Sequence, residues 1–256
     1  MVMKIVIEGV EFSYRSVEAL KDVTLTINGP TLVAIVGPNG SGKSTLLKCI
    51  SKILEPKKGV ILIDSINIAN VKLNELAKIV SYVAPSSGKT FPITVFDFIL
   101  MGRRPYITWK CNDKDVEKVS KVIELLNLEN IAMRDFNELS SGQQQKVMIA
   151  RALAQDTSII LLDEPTANLD IKHQIEVMEL IKDLSKEKTV IMAIHDLTLV
   201  SRYADLVVML KDGRIVAVGT PREVLTPENI EVVYGVKVKT VEVDGYIHVI
   251  PLGIKY

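Results

Sequence analysis

The stretch Gly37-Pro38-Asn39-Gly40-Ser41-Gly42-Lys43-Ser44-Thr45 holds the residue types that a polyphosphate site needs, at the G-x4-G-K-S spacing known as Walker A. Glycines let the backbone fold into a tight nest whose N–H groups point inward at phosphate oxygens. A helix starting near Lys43 adds the positive end of its dipole. The Lys43 ammonium is a point charge for the β- and γ-phosphates, and the Ser44 hydroxyl is a ligand for Mg2+. The loop follows an apolar run at 31–36 and precedes a helical spacing of Leu46, Leu47, Ile50 and Ile53. That context argues against a chance match in a flexible glycine loop.

A second constellation is the apolar run Ile159-Ile160-Leu161-Leu162 ending in Asp163-Glu164-Pro165. Neighbouring side chains of a strand point to opposite faces, but at a strand end the backbone can turn both carboxylates towards one crevice. Asp163 is suited to hold hydrated Mg2+, and Glu164 to accept a proton from an attacking water. Without the phosphate loop the pair would read equally well as an exposed acidic cap.

Leu139-Ser140-Ser141-Gly142-Gln143 precedes an arginine-bearing helix. Taken alone it reads as a plain helix cap. In this order along the chain it resembles the LSGGQ signature of the ABC ATPase family. Ser141 stands where the family has glycine. Other elements of that family follow in order. Tyr14 lies upstream of the phosphate loop, where the family stacks an aromatic on adenine. Ala167-Asn168-Leu169-Asp170 matches the D-loop. His195, after the run at 189–194, matches the switch histidine that contacts the γ-phosphate. Outside that resemblance, Tyr14 reads as a strand aromatic and His195 as a half-buried structural histidine. The resemblance spans essentially the whole chain. It implies an ATPase using ATP and Mg2+, and a homodimer formed on ATP binding. In it Ser140, Ser141, Gly142 and Gln143 of one copy complete the pocket of the other.

These residues need a scaffold, and the hydrophobic pattern supplies one. Alternating strands are expected at 2–10 and 23–27, and further strands at 60–64, 79–83, 158–163, 189–194 and 205–210. Helices are expected at 43–53, 115–126, 144–155 and 171–186. Asp212-Gly213 and Asp244-Gly245 are hairpin turns. Strands alternating with helices give an α/β fold with a mostly parallel core sheet. With the Walker A loop this is a P-loop NTPase carrying an N-terminal antiparallel β subdomain and an inserted helical subdomain. The ATPase domain is expected over 3–240, with its helical insertion at about 85–140. A short C-terminal β extension is expected at 241–256.

Composition bounds the reading further. The 256 residues include 31 basic and 31 acidic side chains, so net charge is zero and nothing favours nucleic acid as a partner. Cys49 and Cys111 form no metal-ligand spacing and read as reduced thiols. No apolar stretch is long enough to span a bilayer, and the first residues read as strands rather than a secretion signal.

Two stretches narrow the resemblance. Phe91-Pro92-Ile93-Thr94-Val95 with Leu100-Met101-Gly102-Arg103-Arg104-Pro105-Tyr106, and the tail from Gly219 through Tyr234, resemble ATPase subunits of metal-chelate importers. The cargo type is iron–siderophore, haem or cobalamin. Read alone, Arg103 and Arg104 are an ordinary solvated surface. The resemblance implies a peripheral protein on the cytoplasmic face of the cell membrane. Its partners are a two-copy membrane permease and, indirectly, a substrate-binding protein. Molybdate and tungstate importers share these features. Non-transport ABC ATPases, of iron–sulfur assembly or DNA-associated type, share the motor. They differ in lacking the 92–106 stretch or in carrying coiled-coil or zinc inserts. The pattern breaks at Tyr82-Val83-Ala84-Pro85-Ser86-Ser87, where Pro85 takes the place of a family glutamine that helps ligate Mg2+. Ser86 or Ser87 is the expected substitute oxygen.

Overall fold

The computed structural model describes residues 3–85 and 91–254. The chain opens with β1 (Lys4–Tyr14), β2 (Val17–Asn28) and β3 (Thr31–Val36), then α1 (Lys43–Ile50), β4 (Lys58–Ile63), β5 (Ile66–Asn67), α2 (Leu73–Leu76) and β6 (Val80–Val83). The helical insertion carries α3 (Val95–Leu100) and α4 (Asp113–Leu125). Next come α5 (Ser141–Ala154), β7 (Ile159–Asp163), α6 (Ile171–Leu184), β8 (Thr189–Ala193), α7 (Leu197–Tyr203), β9 (Leu206–Lys211) and β10 (Arg214–Gly219). The chain closes with α8 (Pro221–Val224), α9 (Pro227–Tyr234), β11 (Val236–Val243) and β12 (Tyr246–Ile254).

The core sheet has six strands in the order β10-β9-β3-β8-β7-β6. All pair in parallel except the edge strand β10, which returns antiparallel on β9. Its inner strands are buried on both faces, so they carry unbroken apolar runs such as IILLD and TVIMA. Period-2 alternation splits β3 between two cores. Leu32, Ala34 and Val36 face the core shared with α5, α6 and the helical insertion. Val33 and Ile35 face the core shared with α1 and the N-terminal strands. Those strands form a separate antiparallel sheet ordered β2-β1-β4-β5. The fold is thus the expected P-loop NTPase with a parallel core and an antiparallel β subdomain.

Order in the core sheet sets the geometry of the site. β8 lies between β3 and β7. The phosphate loop leaves β3, His195 follows β8, and the carboxylates end β7, so three adjacent strands deliver them at one sheet edge. Ligand crevices of open α/β sheets lie at that carboxyl edge.

In the helical insertion, Phe98 and Phe136 stack with ring centroids 4.3 Å apart. Arg103 corrects the solvated-surface alternative. It is 9% exposed, donates through Nε to Asp115 at 3.0 Å and through Nη1 to the Ala154 carbonyl at 2.8 Å. Arg104 is exposed. The C-terminal hairpin begins at Val236, so the expected boundary at 240–241 falls inside β11. The hairpin packs on α7, where the Ile247 N–H donates to the Ser201 hydroxyl at 2.6 Å. Among the described residues no helix is long and apolar enough to cross a membrane.

Candidate nucleotide site

The phosphate loop is held by its glycines. Gly37 and Gly42 have φ of 149° and 104°, conformations that side chains rarely adopt. A Cβ on Gly37 would sit 2.1 Å from the Leu210 carbonyl oxygen, and one on Gly42 would sit 2.5 Å from that of Ala19. The loop therefore rests directly on neighbouring backbone. The β9–β10 turn braces it, with the Gly213 N–H donating to the Ser41 carbonyl at 3.1 Å. α1 starts at Gly42 with no side-chain cap, so its first N–H groups are left for an anion.

Lys43 is buried and donates to the carbonyls of Gly37 at 2.8 Å and Pro38 at 2.9 Å. Burial pulls its pKa down, while the charges of Glu164 and Asp163 act the other way. The Ser41 hydroxyl is buried inside the loop with no hydrogen-bond partner among the described residues. An orphaned donor there, within a nest of N–H groups, suits a bound phosphate oxygen.

Asp163 is 1% exposed and takes a hydrogen bond on each oxygen. The Ser44 hydroxyl donates to Oδ1 at 2.8 Å, and the Tyr82 hydroxyl donates to Oδ2 at 2.9 Å. Burial, together with the neighbouring Asp163 charge and bond, pushes the Tyr82 phenol well above its ordinary pKa, so it stays a donor. Glu164 adopts a left-handed φ of 53°, and its N–H donates to the Ala193 carbonyl at 3.0 Å. That conformation costs about 1–2 kcal/mol. It turns the second carboxylate towards the same crevice as the first. Glu164 Oε1 lies 3.2 Å from His195 Nε2.

A groove of about 270 Å³ is lined by Tyr14, Val17, Asn39, Gly40, Lys43 and Glu164, among others. The Tyr14 ring is held edge-on by Phe12, with centroids 4.9 Å apart, and stays 45% exposed. A smaller depression of about 170 Å³ joins Glu164 to Asn168, Gln174 and His195. Asp170 caps α6, accepting from the His173 N–H at 2.9 Å.

The signature lies elsewhere. Ser140 caps α5 in a reciprocal box with Gln143. The Gln143 N–H donates to the Ser140 hydroxyl at 3.3 Å, and the Ser140 N–H donates to Gln143 Oε1 at 3.1 Å. Ser140 and Ser141 are exposed and Gly142 is buried. None of the four lines either depression of its own chain. The helix-cap reading and the signature reading thus apply to the same residues.

Sequence reasoning missed the role of Tyr82. The available signal was a polar aromatic in the short apolar run VSYV; its place beside the acidic strand appears only in the fold. Ser86 and Ser87 lie outside the described residues.

Comparisons with known proteins agree with this geometry. The sequence pattern described as ABC transporter matches residues 20–167. An uncharacterised ABC transporter ATP-binding protein of Methanocaldococcus jannaschii, MJ0089, is 51% identical over 249 residues, covering 96% of this chain and 97% of that one. The ferric enterobactin transport ATP-binding protein FepC of Escherichia coli is 36% identical, covering 96% of this chain and 93% of its own. Among solved structures, a transporter assigned to the metal-chelate type, in an inward-facing conformation, superposes with a TM-score of 0.86. Its sequence identity is 29%, with 98% of both chains covered.

Proposed function

The chain belongs to the ABC transporter family and is an ATPase of it, and from that premise we propose that it powers import of a metal chelate through a partner permease. The cargo class in this reading is iron–siderophore, haem or cobalamin. The observation that carries the motor is the meeting of Lys43, Ser44, Asp163, Glu164 and His195 at one edge of the core sheet, beside Tyr14.

Hydrolysis follows from that arrangement. The adenine stacks on Tyr14 and the triphosphate lies along residues 37–45. Lys43 leaves the loop carbonyls for the β- and γ-phosphates. Glu164 orients or deprotonates a water for in-line attack on the γ-phosphorus, giving ADP and phosphate. His195 contacts the γ-phosphate while its Nε2 stays near Glu164. Charge on the phosphoryl oxygens is stabilised by fixed donors rather than by reorganising water.

The oxygen donors Ser44 and Asp163 suit Mg2+, a hard cation that keeps several waters and shares its sphere with phosphate. Among the described residues no group of three or more His, Cys, Asp or Glu could hold a metal, which fits a cation held mainly by substrate and water. Bound there, the cation would neutralise charge on the phosphates.

Two copies facing head to tail would place Ser140, Ser141 and Gly142 of each on the nucleotide of the other. The exposure of Ser140 and Ser141, and the absence of all three from the groove lining of their own chain, support this arrangement. A shallow surface groove lined by Leu73, Asn74, Ala77, Arg104 and Pro105 suits a short permease helix. The protein then sits peripherally on the cytoplasmic face of the membrane, reached indirectly by a substrate-binding protein.

The test is transport. Vesicles carrying the chain with its permease should accumulate an iron–siderophore, haem or cobalamin only when ATP is on the side this chain faces. Uptake of molybdate or tungstate instead would move the cargo to the oxyanions. No ATP-dependent uptake of either class would remove the importer reading.

A further inference from the structure

The first turn of α6 touches both halves of the machinery. Asp170 begins it, and its Oδ1 accepts from the His173 N–H at 2.9 Å and lies 2.7 Å from His173 Nδ1. The next residue, Gln174, reaches back to the Thr166 carbonyl in the turn that follows Glu164, at 3.4 Å. On the other side the His173 ring lies against Gly142. A Cβ on Gly142 would be 2.5 Å from Cδ2 of that ring and 2.7 Å from Cγ. Gly142 has an ordinary helical conformation, so its lack of a side chain is explained here by the imidazole.

We propose that His173 is a positioning residue that fixes the signature tip Ser140–Gly142 relative to the D-loop Asp170 of the same chain. This rests on the head-to-tail dimer reading. In that dimer the carboxylate turn of one chain serves one ATP and its signature serves the other. His173 is then the rigid spacer between the two contributions. The contact of its Nδ1 with the Asp170 carboxylate sets the ring plane, and the ring plane sets how far Gly142 stands from α6. Losing the ring leaves the capping box of α5 intact and frees the tip to move on its own.

The experiment compares ATP-induced pairing in a background that does not hydrolyse. Glu164→Gln, Glu164→Gln/His173→Ala and Glu164→Gln/His173→Gln are mixed with MgATP, and the mass is followed by light scattering as protein concentration is varied. Binding of a fluorescent ATP analogue to each variant at concentrations too low for pairing is measured alongside. The expected result is that the alanine variant needs about tenfold more protein to pair, with monomer affinity changed less than twofold. Glutamine, which can still donate to Asp170, should recover pairing to within about threefold. Equal pairing of the alanine and parent proteins overturns the role of His173, as does a glutamine variant no better than alanine. An equal loss in monomer binding overturns it too, since it would report general damage. Should Glu164→Gln itself stay monomeric with MgATP, the dimer reading fails first, and the inference with it.

Discussion

The Tyr82 hydroxyl donates to Oδ2 of Asp163 across 2.9 Å, from the strand next to the one that ends in that carboxylate. It leaves Oδ1 facing Ser44. Tyr82 thus fixes which oxygen of Asp163 faces Ser44, the other residue proposed to hold Mg2+. The sheet supplies this orientation from β6, the strand that leads to Pro85.

Replacing Tyr82 with Phe should keep the packing of the ring and remove that bond. Partners that orient metal ligands typically contribute 10–100-fold in metal affinity. Half-saturation of ATPase activity by Mg2+ should therefore rise about tenfold, with nucleotide binding in EDTA unchanged. A Mg2+ titration identical to that of the parent would contradict the orienting role.

Arg103 and Asp115 form a buried ion pair, their side chains 11% and 2% exposed. Removing the guanidinium alone strands a buried carboxylate. Arg103→Met should cost about 3–5 kcal/mol in urea unfolding. The double variant Arg103→Met/Asp115→Leu should regain part of that loss, because no charge is left uncompensated. A single variant of parental stability would show that the pair contributes nothing to the helical insertion.

The two thiols should differ sharply. Burial raises the Cys49 pKa to about 12, whereas Cys111 is exposed. Iodoacetamide at pH 8 should label one thiol per native chain, at Cys111, and both after unfolding. The linkage has a definite sign. The unfolded thiol ionises near its ordinary pKa and the folded one does not. This contribution is therefore present below about pH 8.5 and fades by about 1.4 kcal/mol per unit as pH rises towards 12. Rapid labelling of native Cys49 would contradict its burial.

Much of the site was legible because its parts are local. Residues 37–45 carry their own nest chemistry, and the runs before Gly37, Asp163 and His195 read as buried strands from composition alone. What could not be read was sheet order. Nothing in the sequence says that β8 separates β3 from β7, and that order is what brings His195 to Glu164. Pairings across long separations were hidden for the same reason. Tyr82 and Asp163 are 81 residues apart, and Gly142 meets His173 only once α5 and α6 are packed. Arg103 looked solvated because its partner lies in the next helix and its second acceptor is the carbonyl of Ala154. β11 starts at Val236, with exposed Lys237 and Lys239 alternating with half-buried Val236 and Val238, as suits an exposed strand.

In the proposed cycle two chains close on ATP, and Glu164 then drives its hydrolysis. Glu164→Gln tests it most directly, with mass measured by light scattering in MgATP and in nucleotide-free buffer, and turnover measured on the same sample. The expected result is twice the mass of one chain with MgATP, a single chain without it, and turnover at least 100-fold below the parent. A variant that stays monomeric in MgATP, or that turns over ATP at the parental rate, would contradict it.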